Sequence, residues 1–166
     1  MMLRVFGILL LALTSCGYHL VGQGEGVIPK SATQLWVVSV GGGDANRLLP
    51  ILVRRSLLQR EHLTWVSDDN ISDTTVEIRL ENMSEALVAT AFDAAGLASQ
   101  YRLTVSGSAR MVYRGKEVWH SDAIAVGGDI FAAGGVVAIE SQRAEMGQRL
   151  RQQWADLMVR QMYSTF

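Results

Sequence analysis

Residues 101–114 read YRLTVSGSARMVYR. Tyr101, Leu103, Val105, Met111 and Tyr113 take the odd positions. Arg102, Thr104, Ser106, Ser108, Arg110 and Arg114 take the even ones. A strand turns successive side chains to opposite faces, so this period of two predicts a strand with one face in a core and the other polar. Such half-covered strands belong to antiparallel sheets. Gly107 has no side chain to carry the alternation and predicts a bulge or bend.

The flanks extend the pattern. Upstream, Val76, Ile78 and Leu80 alternate with Glu77, Arg79 and Glu81, a half-buried strand that starts at Thr75 and continues, bent, to Phe92. Asp93-Ala94-Ala95-Gly96 is a turn before the next strand. Downstream, Arg114-Gly115-Lys116 makes a tight turn, and Glu117–Val126 returns as another strand. Earlier, Gln34–Val40 (QLWVVSV) is an apolar, β-branched run and reads as a buried strand. Gly41-Gly42-Gly43 ends it, and Asp44 or Asn46 can cap a helix that runs to about Glu61. Leu48, Leu49, Leu52, Val53 and Leu57 recur there at helical spacing, with Pro50 in the first turn, where its missing N–H costs least. Leu63–Val66 is a short apolar segment before the polar loop SDDNISD. Gly127–Gly135 reads as a glycine-rich loop. A final helix spans Ile139 to Tyr163, with Met146, Leu150, Trp154, Leu157, Met158 and Met162 as its apolar stripe. Strand, helix, meander, helix is an α+β order: about four strands, mostly antiparallel, with two helices packed on one face. There is no internal repeat and no domain linker.

The first residues are of another kind. Arg4 is the only charge before Glu25, and Val5 to Leu13 is an apolar run. A basic start, a short apolar stretch and small residues after it make a secretory signal, too short for a spanning helix of about 20 residues. Leu13-Thr14-Ser15-Cys16 resembles a bacterial lipobox, an aliphatic residue and two small ones before cysteine. An ordinary signal that happens to hold a cysteine is the alternative. In the lipobox class the signal is cut before Cys16, the thiol takes a diacylglycerol and the new amino group an acyl chain. Several chains make a firm anchor where one is marginal. Gly17, where an Asp commonly marks inner-membrane retention, resembles an outer-membrane lipoprotein. The expected organisation is a signal over 1–15, an acylated tether over 16–33 and one α+β domain over 34–166.

Composition narrows the function. The 166 residues carry 15 basic and 16 acidic side chains, a net charge of −1, with 49% hydrophobic and 19% charged residues. That balance gives no electrostatic case for nucleic acid and is too apolar for a disordered chain. One cysteine excludes an internal disulfide and a multi-cysteine metal site. Gly41-Gly42-Gly43 stands where a phosphate loop would, but no Lys follows and Asp44 would repel phosphate, so a plain turn fits better. His19, His62 and His120 are scattered, without metal-site spacing. Asp68, Asp69 and Asp73 lack the spacing of a calcium loop. No nucleophile constellation is visible, no cofactor is expected beyond the lipid on Cys16, and the chain is not expected to be an enzyme. The final Phe166 suits a barrel protein, but a barrel needs at least eight strands of about ten residues.

One row invites a ligand. Arg102, Arg110 and Arg114, with Lys116 in the turn, share the polar face of one strand. Arginine binds phosphate bidentately, so the row is a candidate contact for a glycolipid or a protein partner. The alternative is a solvated outer face, and Asp93 at the hairpin tip would oppose phosphate.

The chain resembles the LptE family of lipopolysaccharide-assembly lipoproteins. Cys16-Gly17-Tyr18-His19-Leu20 is similar to the Cys-Gly-aromatic-His-Leu start of mature members. Ser99-Gln100-Tyr101-Arg102-Leu103 is similar to their Ala-Glu-Tyr-Gln-Leu, with Gln100 in place of Glu. The resemblance implies a non-enzymatic outer-membrane plug within an LptD-like β-barrel, facing the periplasm or the barrel lumen. It implies help with barrel assembly and with placing lipopolysaccharide in the outer leaflet, and leaves direct glycolipid binding open. A periplasmic lipoprotein adaptor for another envelope protein is the alternative.

Overall fold

In the computed structural model, residues 27–40, 47–58, 63–133 and 135–164 are described. The signal, Cys16, the 16–20 motif, Gly41-Gly42-Gly43, the caps Asp44 and Asn46, Glu61, His19, His62 and Phe166 lie outside them. β1 is Gln34–Val40, α1 Leu49–Leu58, β2 Thr64–Trp65, β3 Thr75–Phe92, β4 Ala98–Tyr113, β5 Lys116–His120, β6 Ile124–Phe131 and α2 Gly135–Ser164.

The class is α+β, as the order of patterns predicts, but the sheet has six strands rather than about four. Its order is β2-β1-β3-β4-β5, with β6 also on β4. β1 runs parallel to β2 and β3, and the other pairs are antiparallel. β4 is the spine. β3 pairs along one edge, while β5 and β6 divide the other, β5 at Arg110–Tyr113 and β6 at Gln100–Gly107.

Two extra residues bend the sheet at Gly107. On β3, Glu81 faces Ser108 and Ser84 faces Ser106, so Asn82 and Met83 stand against Gly107 alone. Asn82 takes φ 54, a left-handed conformation that asparagine tolerates. On the other flank, His120 faces Arg110 and Ile124 faces Gly107, so 121–123 span what Ala109 and Ser108 span on β4. Ser121 seals that gap: its N–H donates to the Ala109 carbonyl at 2.8 Å and its Oγ accepts the Ala109 N–H at 2.9 Å. Each extra residue reverses which side chains face inward. β3 buries Val76, Ile78 and Leu80 before the bulge and Met83 after it. The return strand buries Trp119 before the interruption and Ile124 and Ile130 after it.

The strand expected over Glu117–Val126 is therefore two, and the expected loop at Gly127–Gly135 is mostly strand β6. Gly127 and Gly128 carry no side chain to show a period, so the sequence there looks like a loop. α2 starts at Gly135, four residues before the expected Ile139. Lys116 opens β5 rather than sitting in the turn. That turn is Arg114-Gly115, at φ 51 and 72, the two left-handed positions of a tight type I′ hairpin.

Both helices cover one face. α1 buries Leu49, Val53 and Leu57. α2 buries Leu150, Trp154, Met158 and Met162, four residues apart on one stripe, while Met146 and Leu157 are half-buried against the core. The Trp154 indole N–H donates to the Ile124 carbonyl at 3.1 Å. Ser56 of α1 donates to Asp156 of α2 at 2.8 Å. Val27, Ile28 and Ala32, in the segment read as tether, also lie against the core.

Candidate functional site

The sheet's other face is uncovered by any described element. Strand register places its residues in rows. Before the bend, Val38, Arg79 and Arg110 stand side by side, as do Trp36, Glu77 and Val112. Beyond it, Ser84, Ser106 and Ala125 form a row, then Ala86, Thr104 and Gly127, then Val88, Arg102 and Asp129. Charges stand in the near half at Glu77, Arg79 and Arg110 and again in the last far row at Arg102 and Asp129, with small residues between.

The arginine row runs along this face as a stripe. Arg102 and Arg110 are eight residues apart on β4, on the order of 27 Å at strand rise, too far to grip one phosphate. Each arginine already has a partner. Arg102 Nη1 meets Asp129 Oδ1 at 3.2 Å, with its side chain lying over Gly127. Arg110 hydrogen-bonds the Glu81 carboxylate and lies 3.7 Å from Glu117. The Glu81 hydrogen bond first, then its charge, with Glu117 adding, hold the Arg110 guanidinium above its ordinary range against desolvation. Arg114 Nε donates to the Asp73 carbonyl at 3.3 Å, with its guanidinium 5.2 Å from the Tyr113 ring centre. Lys116 is exposed at the same end. The acids Glu81, Glu117 and Asp129 come from strands flanking β4, and alternation within one strand does not reveal them. Cross-strand pairing does, because opposite charges on neighbouring strands attract.

The far end carries a second feature. Phe92, Leu97 and Phe131 are 60–67% exposed, and Val136 and Val137 are 76% and 85% exposed. All lie at the β3–β4 turn, the end of β6 or the start of α2. Asp93, read as an obstacle to phosphate, closes that turn: its Oδ1 accepts the N–H groups of Ala95 and Leu97, both at 2.9 Å. Among the described residues no group of His, Cys, Asp and Glu could hold a metal ion, and no helix is long and apolar enough to cross a membrane.

This two-layer arrangement has relatives. Residues 37–162 match the family model of LptE, described as lipopolysaccharide-assembly. The chain belongs to the LptE family. The match covers most of both layers and leaves the Cys16–Leu20 motif outside. No curated protein matches the chain significantly. Among solved structures, rare lipoprotein B from Shewanella oneidensis is 22% identical with a TM-score of 0.59, over 80% of this chain and 95% of that one. Lipoprotein B from Nitrosomonas europaea is 14% identical with a TM-score of 0.62, over 89% and 90%. A minor lipoprotein from Acinetobacter baumannii is 10% identical with a TM-score of 0.61, over 79% and 90%. At these identities the likeness is one of fold.

Proposed function

We propose that this lipopolysaccharide-assembly lipoprotein is held in the outer membrane by acyl chains on Cys16, seats as a plug in an LptD-like β-barrel, and assists lipopolysaccharide insertion without catalysing a reaction. Family membership over residues 37–162 carries the reading. Two features support it. A sheet face of this length is left uncovered, which suits a chain that completes its packing against a partner. The far end is capped by exposed Phe92, Leu97 and Phe131, apolar area that water disfavours. Arg102 and Arg110 lie along the face, with Arg114 and Lys116 at the hairpin that ends it, and these cations would meet the barrel or the glycolipid. In this reading 1–15 are a signal, 16–33 a tether whose last residues, from Val27, lie against the core, and 34–166 the domain.

The test is recovery of the full chain from envelopes in mild detergent. A large β-barrel protein should co-purify. A different envelope protein in its place would replace the plug reading with that of an adaptor. Cys16→Ala should abolish labelling by a palmitate analogue, and retained label would overturn the anchor.

A further inference from the structure

The outward face of α1 is apolar where solvent would favour polar groups. With Leu49, Val53 and Leu57 buried, the opposite side presents Leu48, Ile51, Arg55 and Leu58 at helical spacing. Leu48 and Ile51 are each 51% exposed and Leu58 is 36% exposed. From Ala45 to Arg60 the chain holds Arg47, Arg54, Arg55 and Arg60 and neither Asp nor Glu. An aliphatic ridge with arginine beside it is the pattern of a helix lying in an anionic membrane interface, apolar side in the acyl boundary and cations at the headgroups. Among the described residues of α1 the charged side chains are Arg54 and Arg55, and basic charge beside the ridge favours a negative surface.

Position along the chain agrees. The Thr64 N–H donates to the Thr33 carbonyl at 2.9 Å, and Arg54 of α1 lies 4.7 Å from the ring centre of neighbouring Trp65. The chain thus enters β1 beside the last turns of α1. Eleven residues, 16–26, precede Val27 and span at most roughly 36–40 Å. Tethering at that length turns a weak surface contact into a persistent one.

We propose that, in the anchored chain not yet seated in a barrel, Leu48, Ile51, Arg55 and Leu58 form a docking face that lays the domain, α1 down, on an anionic phospholipid leaflet. The inference rests on Cys16 being the anchor. It is tested on the acylated mature chain in vesicles of phosphatidylcholine, with and without about 30% phosphatidylglycerol. Acylation occupies the natural thiol, so Ile51→Cys takes a single nitroxide label, and Val88→Cys on the open sheet face is the control. In anionic vesicles the label at 51 should become accessible to oxygen and shielded from a water-soluble nickel chelate, and the label at 88 should not. Arg55→Gln should lower the docked fraction relative to the free one about fivefold, and added salt should lower it further. An aqueous label at 51 in both vesicles overturns the proposal. So does equal shielding in detergent without vesicles, which would make the ridge a contact between copies. The mass of the purified chain reports acylation separately. An unacylated chain whose α1 still docks on anionic vesicles supports the face while removing the anchor.

Discussion

Trp154 joins α2 to the sheet at the point where the return strand is interrupted. Its ring is fully buried and its N–H is bonded to the first residue of β6. Trp154→Ala should cost about 3–5 kcal/mol, read as a lowered urea midpoint. Trp154→Phe keeps most of the volume and leaves the Ile124 carbonyl without its donor, a loss of about 1–3 kcal/mol. Gly107 is a second point of no slack. A Cβ there would overlap the Met83 sulfur and lie 3.2 Å from the Glu81 carbonyl oxygen. Gly107→Ala should therefore cost about 1–3 kcal/mol by overpacking. Adding Met83→Ala should recover most of that loss if the sulfur is the obstacle. Strictly additive losses in the double variant would place the strain in the backbone.

α2 is 30 residues long, and its two halves are held differently. The C-terminal half packs Leu150, Trp154, Met158 and Met162 into the core. The N-terminal half leaves Val136 and Val137 exposed and meets the far sheet through Met146, whose sulfur occupies the space a Gly128 side chain would need. Between the halves, Arg151 pairs with Glu85 at 2.6 Å, both side chains under 15% exposed, and Arg143 approaches the same carboxylate at 3.7 Å. Glu85 faces the helices because the bulge at Asn82 reverses the alternation of β3. Removing one partner of a largely buried pair leaves a charge uncompensated, at a cost of about 3–5 kcal/mol when burial is complete. Glu85→Gln should lose about 2 kcal/mol, since the pair keeps some water contact, and hydrogen exchange should quicken over residues 135–149. Glu85→Leu with Arg151→Met replaces the pair by apolar packing and should return stability to near the starting value. Unchanged exchange in Glu85→Gln would show that the pair does not fasten α2.

Across the whole molecule, the open face is an electrically balanced surface rather than a cationic one. Arg102 is matched by Asp129, and Arg110 by Glu81 and Glu117, so a partner meets fixed ion pairs. The triple change of Arg102, Arg110 and Arg114 to Gln should leave the folded domain's melting midpoint nearly unchanged, because exposed ion pairs contribute little to stability. It should lower recovery of the barrel partner if the face is a protein contact. Normal recovery with poor lipopolysaccharide capture would make it a glycolipid contact. Full recovery and full capture would leave the face merely solvated. Exchanging Arg102 and Asp129 keeps their ion pair while reversing its direction, and should impair complex formation if the partner reads the charge at each position.

The periodic parts were legible along the chain alone: alternation at Tyr101–Tyr113 and Thr75–Glu81, and the helical stripe Leu150, Trp154, Met158 and Met162. These periods come from backbone geometry within a few residues, so no partner is needed to read them. The LptE resemblance carried by short motifs likewise agrees with the family match over 37–162. The folded chain, and no local pattern, makes Gly127 and Gly128 part of a strand. Their glycines answer to Arg102 on one face and Met146 on the other, residues distant in the chain. It also decided that Glu85 faces inward and that Glu81 and Asp129 hold Arg110 and Arg102. Inward or outward direction past a bulge, and charge pairing across strands, depend on register. Register is a relation between segments, and each segment alone is compatible with more than one.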